Sequence, residues 1–302
     1  MKKFTAFLAL FLFPIVFIGV LTEILIRKIP NDYNYKKNYL DQHAKEIKVL
    51  FLGSSHAYYG INPSYIQSSF NAGHVSQSLD YDFEILKKYK DSWVNLQYIV
   101  IPIDYFSLYI RLENGSDSWR AKNYKIYYDV YRDNQLFNHA ELLTNKLEVN
   151  LRRLYSHYLK NQNDIHCNQL GWGVDYSSKI LRDLEKSGSL AAARHSVKSD
   201  AHLAENIALL NEMISFATQR NIRVILFTSP AYSSYVSHLN KIQLNKTLAI
   251  ARSMSKHHPK TRYINLLQDT SFHKSDFYDG DHLNEIGAKK LSLKLRSWLQ
   301  SI

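Results

Sequence analysis

The sequence predicts an α/β fold in which a parallel sheet lies between two layers of helices, a three-layer arrangement. Short apolar runs typical of buried strands occur at residues 47–52, 97–103 and 222–227, and residues 262–266 are interpreted as a further short strand. Segments with helical spacing separate most of these runs, and strands that alternate with helices usually pair in parallel. An apolar N-terminus adds a predicted transmembrane helix, and a polar middle segment adds a mostly helical insertion.

The N-terminal segment is long enough to cross a membrane. Phe4 to Ile26 is almost wholly apolar and follows two lysines, and as a helix it spans roughly 34 Å. A cleaved signal peptide is the alternative, but the run is longer than usual and has no small-residue cleavage site at its end. We therefore predict an uncleaved anchor over residues 1–28. Basic residues on both sides of it leave its orientation open.

The rest of the chain predicts a linker and one domain. Residues 29–46 are polar and are interpreted as a linker, and residues 47–302 as the domain. After the first strand, helical spacing predicts helices at 79–89, 204–219, 235–257 and 284–299, each placed before or after one of the strands. Residues from about 107 to 200 fit this alternation poorly and are predicted to form a largely helical insertion or lid.

Composition narrows the choice of partners. The net charge is +11, which suits a surface near anionic membranes or envelope polymers. Nucleic acid is not expected as a partner, because no basic run or stacking-aromatic motif is present. The single cysteine, Cys167, excludes an intramolecular disulfide. Histidines and acids show no repeated ligand spacing, so neither a metal nor another cofactor is predicted.

Two short motifs more than two hundred residues apart carry the predicted chemistry. Gly53-Ser54-Ser55-His56 follows the first strand, and Asp279-Gly280-Asp281-His282 precedes the last helix. Both lie after strands, at the edge where parallel sheets place functional loops. Together they supply a hydroxyl, an imidazole that can take its proton and a carboxylate that can orient the imidazole. Ser54 and Asp281 are the neighbouring alternatives for the nucleophile and the acid.

These motifs resemble those of the SGNH/GDSL hydrolase superfamily. Residues 52–55 are similar to its Gly-Asp-Ser block, with Ser54 in place of aspartate, and residues 279–287 to its final Asp-x-x-His block. Asn71-Ala72-Gly73 is similar to the second block, whereas residues 101–105 lack the Gly-x-Asn-Asp of the third. The Gly-Ser-Ser variant behind an anchor is more similar to the membrane-tethered branch. That branch includes the teichoic-acid D-alanyl-transfer protein and polysaccharide O-acetylation proteins.

The resemblance implies roles for individual residues. Ser55 would be the nucleophile, His282 the base and Asp279 the orienting acid, with the backbone N–H groups of Ser55 and Gly73 as oxyanion donors. We expect Ser55 Oγ within about 3–4 Å of a ring nitrogen of His282. On position alone, three further residues are weaker candidates for substrate contact: His56, Asp104 and Tyr105.

The predicted function is a membrane-anchored serine acyltransferase or esterase acting on O-acyl groups of cell-envelope glycans. A glycan or glycolipid acceptor, the membrane and a membrane-bound acyltransferase are the expected partners, with the acyl donor unspecified. The resemblance places the protein in the cytoplasmic membrane, single-pass, with the catalytic domain on the extracytoplasmic side. Two alternatives stay open: a catalytically inactive scaffold of polysaccharide assembly, and a secreted esterase or lipase.

Overall fold

The computed structural model of the chain describes residues 2–132 and 136–300. Within these residues contacts define two compact units. The first comprises Met1–Asn38 with Ser116–Ile165, and the second comprises Tyr39–Gly115 with His166–Ile302. The second unit contains the sheet and both predicted motifs.

Twelve α-helices and five strands make up the regular structure of the described residues. The helices are α1 Lys2–Arg27, α2 Asp32–His43, α3 Ser55–Gly60, α4 Leu79–Lys88, α5 Ala121–Tyr128, α6 Glu141–Thr144, α7 Leu147–Lys160, α8 Leu184–His195, α9 Leu203–Gln219, α10 Ser233–Ser237, α11 Lys241–His257 and α12 Glu285–Gln300. The strands are β1 Val49–Phe51, β2 Ser69–Asn71, β3 Tyr98–Pro102, β4 Arg223–Thr228 and β5 Thr261–Asn265.

The second unit is built on one parallel sheet with the order β2-β1-β3-β4-β5. On one face, alternate strand residues such as Phe51, Val100 and Phe227 form a core with α3 and with Leu291 and Leu295 of α12. The intervening strand residues are also buried, and helices α9 and α11 pack on β4 and β5. Crossovers between neighbouring parallel strands are right-handed in nearly all proteins, and by this rule α9, before β4, and α11, between β4 and β5, cover the opposite face. The predicted α/β class, with a parallel sheet flanked by helices, is confirmed.

The strand order fixes where the site lies. The chain leaves β1 toward β2 on one side and then returns to β3 on the other, so the order reverses between β1 and β3. In open parallel sheets, the crevice beyond the carboxyl ends at such a reversal is the usual place for a ligand. Ser55 follows β1 and Asp104 follows β3, so both lie at this point.

The first unit contains the apolar N-terminal helix. One helix of the described chain, Lys3–Arg27 within α1, is long and apolar enough to cross a membrane, with a mean hydropathy of 2.6 over its best window. Its last turn contacts the segment around α6 through polar groups. The Glu23 carboxylate accepts the backbone N–H groups of Glu141 at 3.0 Å and Leu142 at 2.8 Å, and Tyr158 donates to the carbonyl of Leu25.

Two regions differ in detail from the sequence prediction. The predicted linker at 29–46 contains α2, which buries Tyr33 and Leu40. The predicted insertion is divided: residues 116–165 belong to the first unit, whereas residues from 166 onward, including α8, belong to the second.

Candidate active site

The turn that presents Ser55 needs glycine at position 53. Gly53 has a φ of +114°, and a Cβ there would lie 2.6 Å from Cγ of Pro102, so a side chain would be both strained and blocked. The Gly53 N–H donates to Oδ1 of Asp82 at 2.8 Å. Ser55 then begins α3, and this places its side chain just beyond the end of β1.

A second turn presents the imidazole. Asp279 Oδ1 accepts the backbone N–H groups of Asp281 at 3.1 Å and His282 at 2.8 Å. Asn284 closes the turn, because its side-chain oxygen accepts the N–H groups of Ile286 and Gly287 at the start of α12. His282 is therefore fixed before the helix begins and is not itself the helix cap.

The two turns bring the predicted nucleophile, base and acid together. Nε2 of His282 lies 2.9 Å from Ser55 Oγ, and its Nδ1 lies 3.0 Å from Asp279 Oδ1. The predicted distance was about 3–4 Å. Because a carboxylate can only accept, Nδ1 carries a proton and donates it to Asp279, which leaves the lone pair of neutral Nε2 facing the Ser55 hydroxyl. This is the tautomer that a general base requires.

The predicted oxyanion donors differ from each other. No acceptor for the Ser55 backbone N–H occurs among the described residues, so this group is available. The Gly73 N–H, however, donates to Oδ1 of Asn71 at 3.0 Å, and the amide of Asn71 is held by the carbonyls of Ala57 and Ile61. The Gly73 N–H is therefore bonded within the protein in this structure, and its role as an oxyanion donor stays a prediction.

The weaker candidates for substrate contact are all buried and bonded to protein atoms. The His56 ring and the Asp104 carboxylate lie 2.8 Å apart. Tyr105 is only 1% exposed, and its hydroxyl lies 2.8 Å from the Ser196 hydroxyl. Their contact with substrate stays a prediction.

The neighbouring alternatives also have defined environments. Ser54 Oγ is buried and has no hydrogen-bond partner among the described residues. The carboxylate beside this turn is that of Asp82 of α4, which accepts the Gly53 N–H. Asp281 is buried, and its Oδ1 lies 3.5 Å from Nδ1 of His282, which is farther than Asp279.

The electrostatics centre on His56. Burial lowers its pKa, but the charges and hydrogen bonds of Asp104 and Asp281 outweigh burial and raise the pKa to about 10. Burial also raises the pKa of Asp104, yet the charge of His56 and the Ser229 N–H lower it overall. The pKa of Asp281 is also lowered: burial raises it, but the neighbouring His282 and His56 rings outweigh burial. Two carboxylates and one imidazolium therefore lie behind the base.

A group of ligand-type atoms at this place is bonded within the protein. Ligand-type atoms of His56, Asp281 and His282 lie within 4.8 Å of one another. Both ring nitrogens of His56 face carboxylates, and those of His282 face Ser55 and Asp279.

Aromatic side chains that sequence reasoning did not identify line the site. Tyr59, Tyr176 and Tyr278 stack in a row, with ring centroids 3.5 Å and 3.9 Å apart. The edge of Tyr176 faces His282, with centroids 5.3 Å apart. Burial, together with the nearby Tyr59 and Asp279, raises the pKa of Tyr176, so its hydroxyl stays neutral.

An irregular loop holds Tyr176 in this place. Trp172 Nε1 donates to the carbonyl of Tyr59 at 2.6 Å, and Ser178 donates both its N–H and its hydroxyl to Glu285 of α12. Gly171-Trp172-Gly173 lies in this loop, and nothing in these three residues indicates a tyrosine at the site.

No protein-family model matches the chain. No curated protein matches its sequence either.

Solved structures with a similar fold are hydrolases and transferases of acyl groups. A GDSL-like lipase from Bacteroides thetaiotaomicron has a TM-score of 0.41 at 13% identity, covering 90% of this chain and 99% of its own. The C-terminal catalytic domain of peptidoglycan O-acetyltransferase A from Streptococcus pneumoniae has 0.39 at 12% identity, covering 84% and 93%. An acetyl xylan esterase has 0.41 at 15% identity, covering 85% and 100%. The chain's own features, a parallel sheet flanked by helices with a Gly-Ser-Ser turn after β1 and Asp-x-x-His before the last helix, are similar to those of the SGNH/GDSL hydrolase superfamily.

Proposed function

We propose that the chain is a membrane-anchored serine esterase or O-acyltransferase that acts on O-acyl groups of cell-envelope glycans. The observation that carries this proposal is the continuous series of hydrogen bonds from Ser55 Oγ through the His282 ring to Asp279, at 2.9 Å and 3.0 Å. A serine hydroxyl is a poor nucleophile unless a base removes its proton during attack, and this arrangement supplies that base in the required tautomer.

The proposed reaction has two balanced half-steps. Ser55 Oγ attacks the carbonyl carbon of an acyl ester while Nε2 of His282 takes the hydroxyl proton. The oxyanion accepts a hydrogen bond from the Ser55 N–H. The ester C–O bond then breaks, and His282 returns the proton to the departing alcohol. An acceptor hydroxyl then attacks acyl-Ser55 in the same manner, and the free Ser55 hydroxyl is regenerated. A sugar acceptor gives transfer, and water gives hydrolysis.

The contacts of α1 support a retained anchor. Glu23 satisfies two backbone donors at the start of α6, and these N–H groups would lose their acceptor if the chain were cut near residue 28. This favours a single-pass protein of the cytoplasmic membrane over a secreted esterase. By analogy with the tethered branch, the second unit would face the extracytoplasmic side, with a glycan or glycolipid acceptor and a membrane-bound acyltransferase as donor partner. Intact mass of the protein isolated from membranes tests this, because cleavage would remove residues 1 to about 28.

Labelling with a fluorophosphonate tests the catalytic proposal. The detergent-solubilised full chain should gain one adduct per molecule at Ser55, located by peptide mass. Ser55→Ala should gain none. The matched variant Ser54→Ala should label like wild type, because Ser54 Oγ is buried and has no hydrogen-bond partner among the described residues. A folded wild-type chain that does not label would overturn the enzyme proposal in favour of the scaffold alternative.

A cellular comparison tests the substrate class. O-acetyl content of the envelope polysaccharide should differ between a strain carrying Ser55→Ala and its parent, and a strain carrying Ser54→Ala should match the parent. Lower content in the Ser55→Ala strain would indicate a transferase, and higher content would indicate an esterase. Equal content in all three strains would contradict the glycan assignment while leaving the labelling result unaffected.

A further inference from the structure

His56 follows the candidate nucleophile directly, but its ring lies behind the site. Its side chain is only 4% exposed, with Nδ1 2.8 Å from Asp104 Oδ2 and Nε2 3.4 Å from Asp281 Oδ2. The remaining oxygen of Asp104 accepts the Ser229 N–H at 2.8 Å. The ring is therefore fixed by groups from three other segments: Asp104 at the end of β3, Ser229 after β4, which holds Asp104, and Asp281 in the loop before α12.

The partners of His56 determine its charge. Ionised carboxylates only accept hydrogen bonds, so an imidazole that faces one on each nitrogen donates to both only when it is protonated. The alternative, a neutral ring, would leave one nitrogen lone pair facing a buried anion. A buried anion with no counter-charge is strongly disfavoured.

One of these carboxylates also reaches the candidate base. Asp281 Oδ2 contacts His56, while its Oδ1 lies 3.5 Å from Nδ1 of His282. The two imidazole rings are perpendicular, with centroids 4.8 Å apart. His282 thus faces two acids, Asp279 and Asp281, and one cation.

We propose that His56 is a positioning residue: held between Asp104 and Asp281, it is the buried counter-ion that keeps the Asp281 carboxylate from stabilising the imidazolium form of the base His282. Without the His56 cation, the Asp279 and Asp281 carboxylates would face His282 Nδ1 with no buried positive charge beside them. They would favour the protonated His282 ring, which cannot take the Ser55 proton. The inference deepens the proposed function and rests on it, because it assigns a role in setting the pH range of that same reaction.

The other groups around the two rings do not supply this charge. His195 lies 3.9 Å from Asp281, but burial lowers its pKa to about 3 and its Nδ1 contacts the Tyr235 hydroxyl. Arg194 reaches Asp281 only at 3.8 Å with a side chain that is 60% exposed, so solvent screens it. Tyr59 and Tyr176 face His282 with ring edges, and Phe106 packs on His56.

The pH dependence of ester hydrolysis tests the proposal. With p-nitrophenyl acetate and the full chain, we expect His56→Gln to move the acid limb of kcat/KM to higher pH by about one unit or more. Its activity relative to wild type should accordingly be lowest at acidic pH. Asp104→Asn removes an anion and leaves His56 charged against Asp281, so its limb should not move to higher pH, and the matched control His195→Gln should leave the limb in place. A His56→Gln profile that superimposes on wild type, or that moves to lower pH, would overturn the proposal.

A second measurement does not depend on activity. In Ser55→Ala protein labelled at histidine with ¹⁵N and ¹³C, one ring should keep imidazolium shifts up to at least about pH 8.5, consistent with a pKa of about 10. Asp104→Asn should lower the pH at which this ring titrates, which assigns the signal even if His56→Gln does not fold. If every histidine ring is neutral at pH 8, the inference is wrong whatever the activity. If the imidazolium is present but the wild type neither labels nor hydrolyses, the proposed function fails alone.

Discussion

Asp279 Oδ1 accepts two hydrogen bonds from His282, one from the backbone N–H at 2.8 Å and one from ring Nδ1 at 3.0 Å. The same oxygen therefore shapes the turn and orients the imidazole. This double contact explains the spacing of the motif, because a carboxylate three residues before the histidine reaches both groups in one tight turn. It also separates the two acids of the motif, since Asp281 is directed toward His56.

Asp279→Asn should reduce kcat/KM for an activated ester by about 100- to 10,000-fold, with little change in thermal stability. The amide oxygen can still accept the backbone N–H groups, but the negative charge that stabilises the imidazolium during attack is lost and the ring can adopt the wrong tautomer. Steady-state kinetics and a melting curve on the same preparation measure both effects. The control is Asp200→Asn, because Asp200 is an exposed acid that pairs with Lys246. A loss smaller than about threefold in Asp279→Asn would contradict its assigned role.

Local sequence patterns were sufficient for the sheet centre and for the two motifs. Four of the five strands lie within a residue or two of the predicted ones. Strands β1, β3 and β4 are buried on both faces and are therefore nearly continuous apolar segments. Strand β2 was not predicted: it has three residues, and two of them, Ser69 and Asn71, are polar. The predicted helix at 235–257 is divided at Asn240, whose side chain caps α11 by accepting the N–H groups of Ile242 and Gln243.

Contacts between distant segments account for the features of the site that the sequence did not predict. His56 contacts Asp104 and Asp281 on two distant segments, and nothing local to His56 indicates two carboxylate partners. The hydrogen bond from Gly73 N–H to Asn71 depends on how the short loop folds around a buried amide. Tyr176 reaches the site only because Glu285 of α12 binds Ser178. Such contacts are set by tertiary packing rather than by periodicity.

Glu23→Ala should lower the melting temperature of the full chain in detergent. The substitution leaves the N–H groups of Glu141 and Leu142 without an acceptor at the start of α6, a loss comparable to removing a helix N-cap, about 0.5–2 kcal/mol. The matched control is Glu148→Ala on α7, whose pair with Arg152 is exposed on both sides and should contribute little. Equal melting temperatures for the two variants would show that the end of α1 is not part of the folded first unit.

Asp82→Asn should make the protein less sensitive to rising pH. Asp82 is 1% exposed and binds Gly53 N–H and Gln77 Nε2, and burial raises its pKa from 3.8 to about 7 despite these donors. Because the folded pKa lies above the unfolded one, its stabilising contribution is complete below about pH 4 and is lost as pH rises through about 7.

Asparagine keeps the acceptor oxygen but has no charge to bury. The melting temperature of wild type should therefore fall relative to that of Asp82→Asn between pH 5 and pH 8, measured on both proteins in the same buffers. The exposed variant Asp91→Asn should follow wild type across this range. Parallel curves for wild type and Asp82→Asn would mean that the carboxylate next to the Ser55 turn is ionised at no cost. The turn would then not depend on a protonated Asp82.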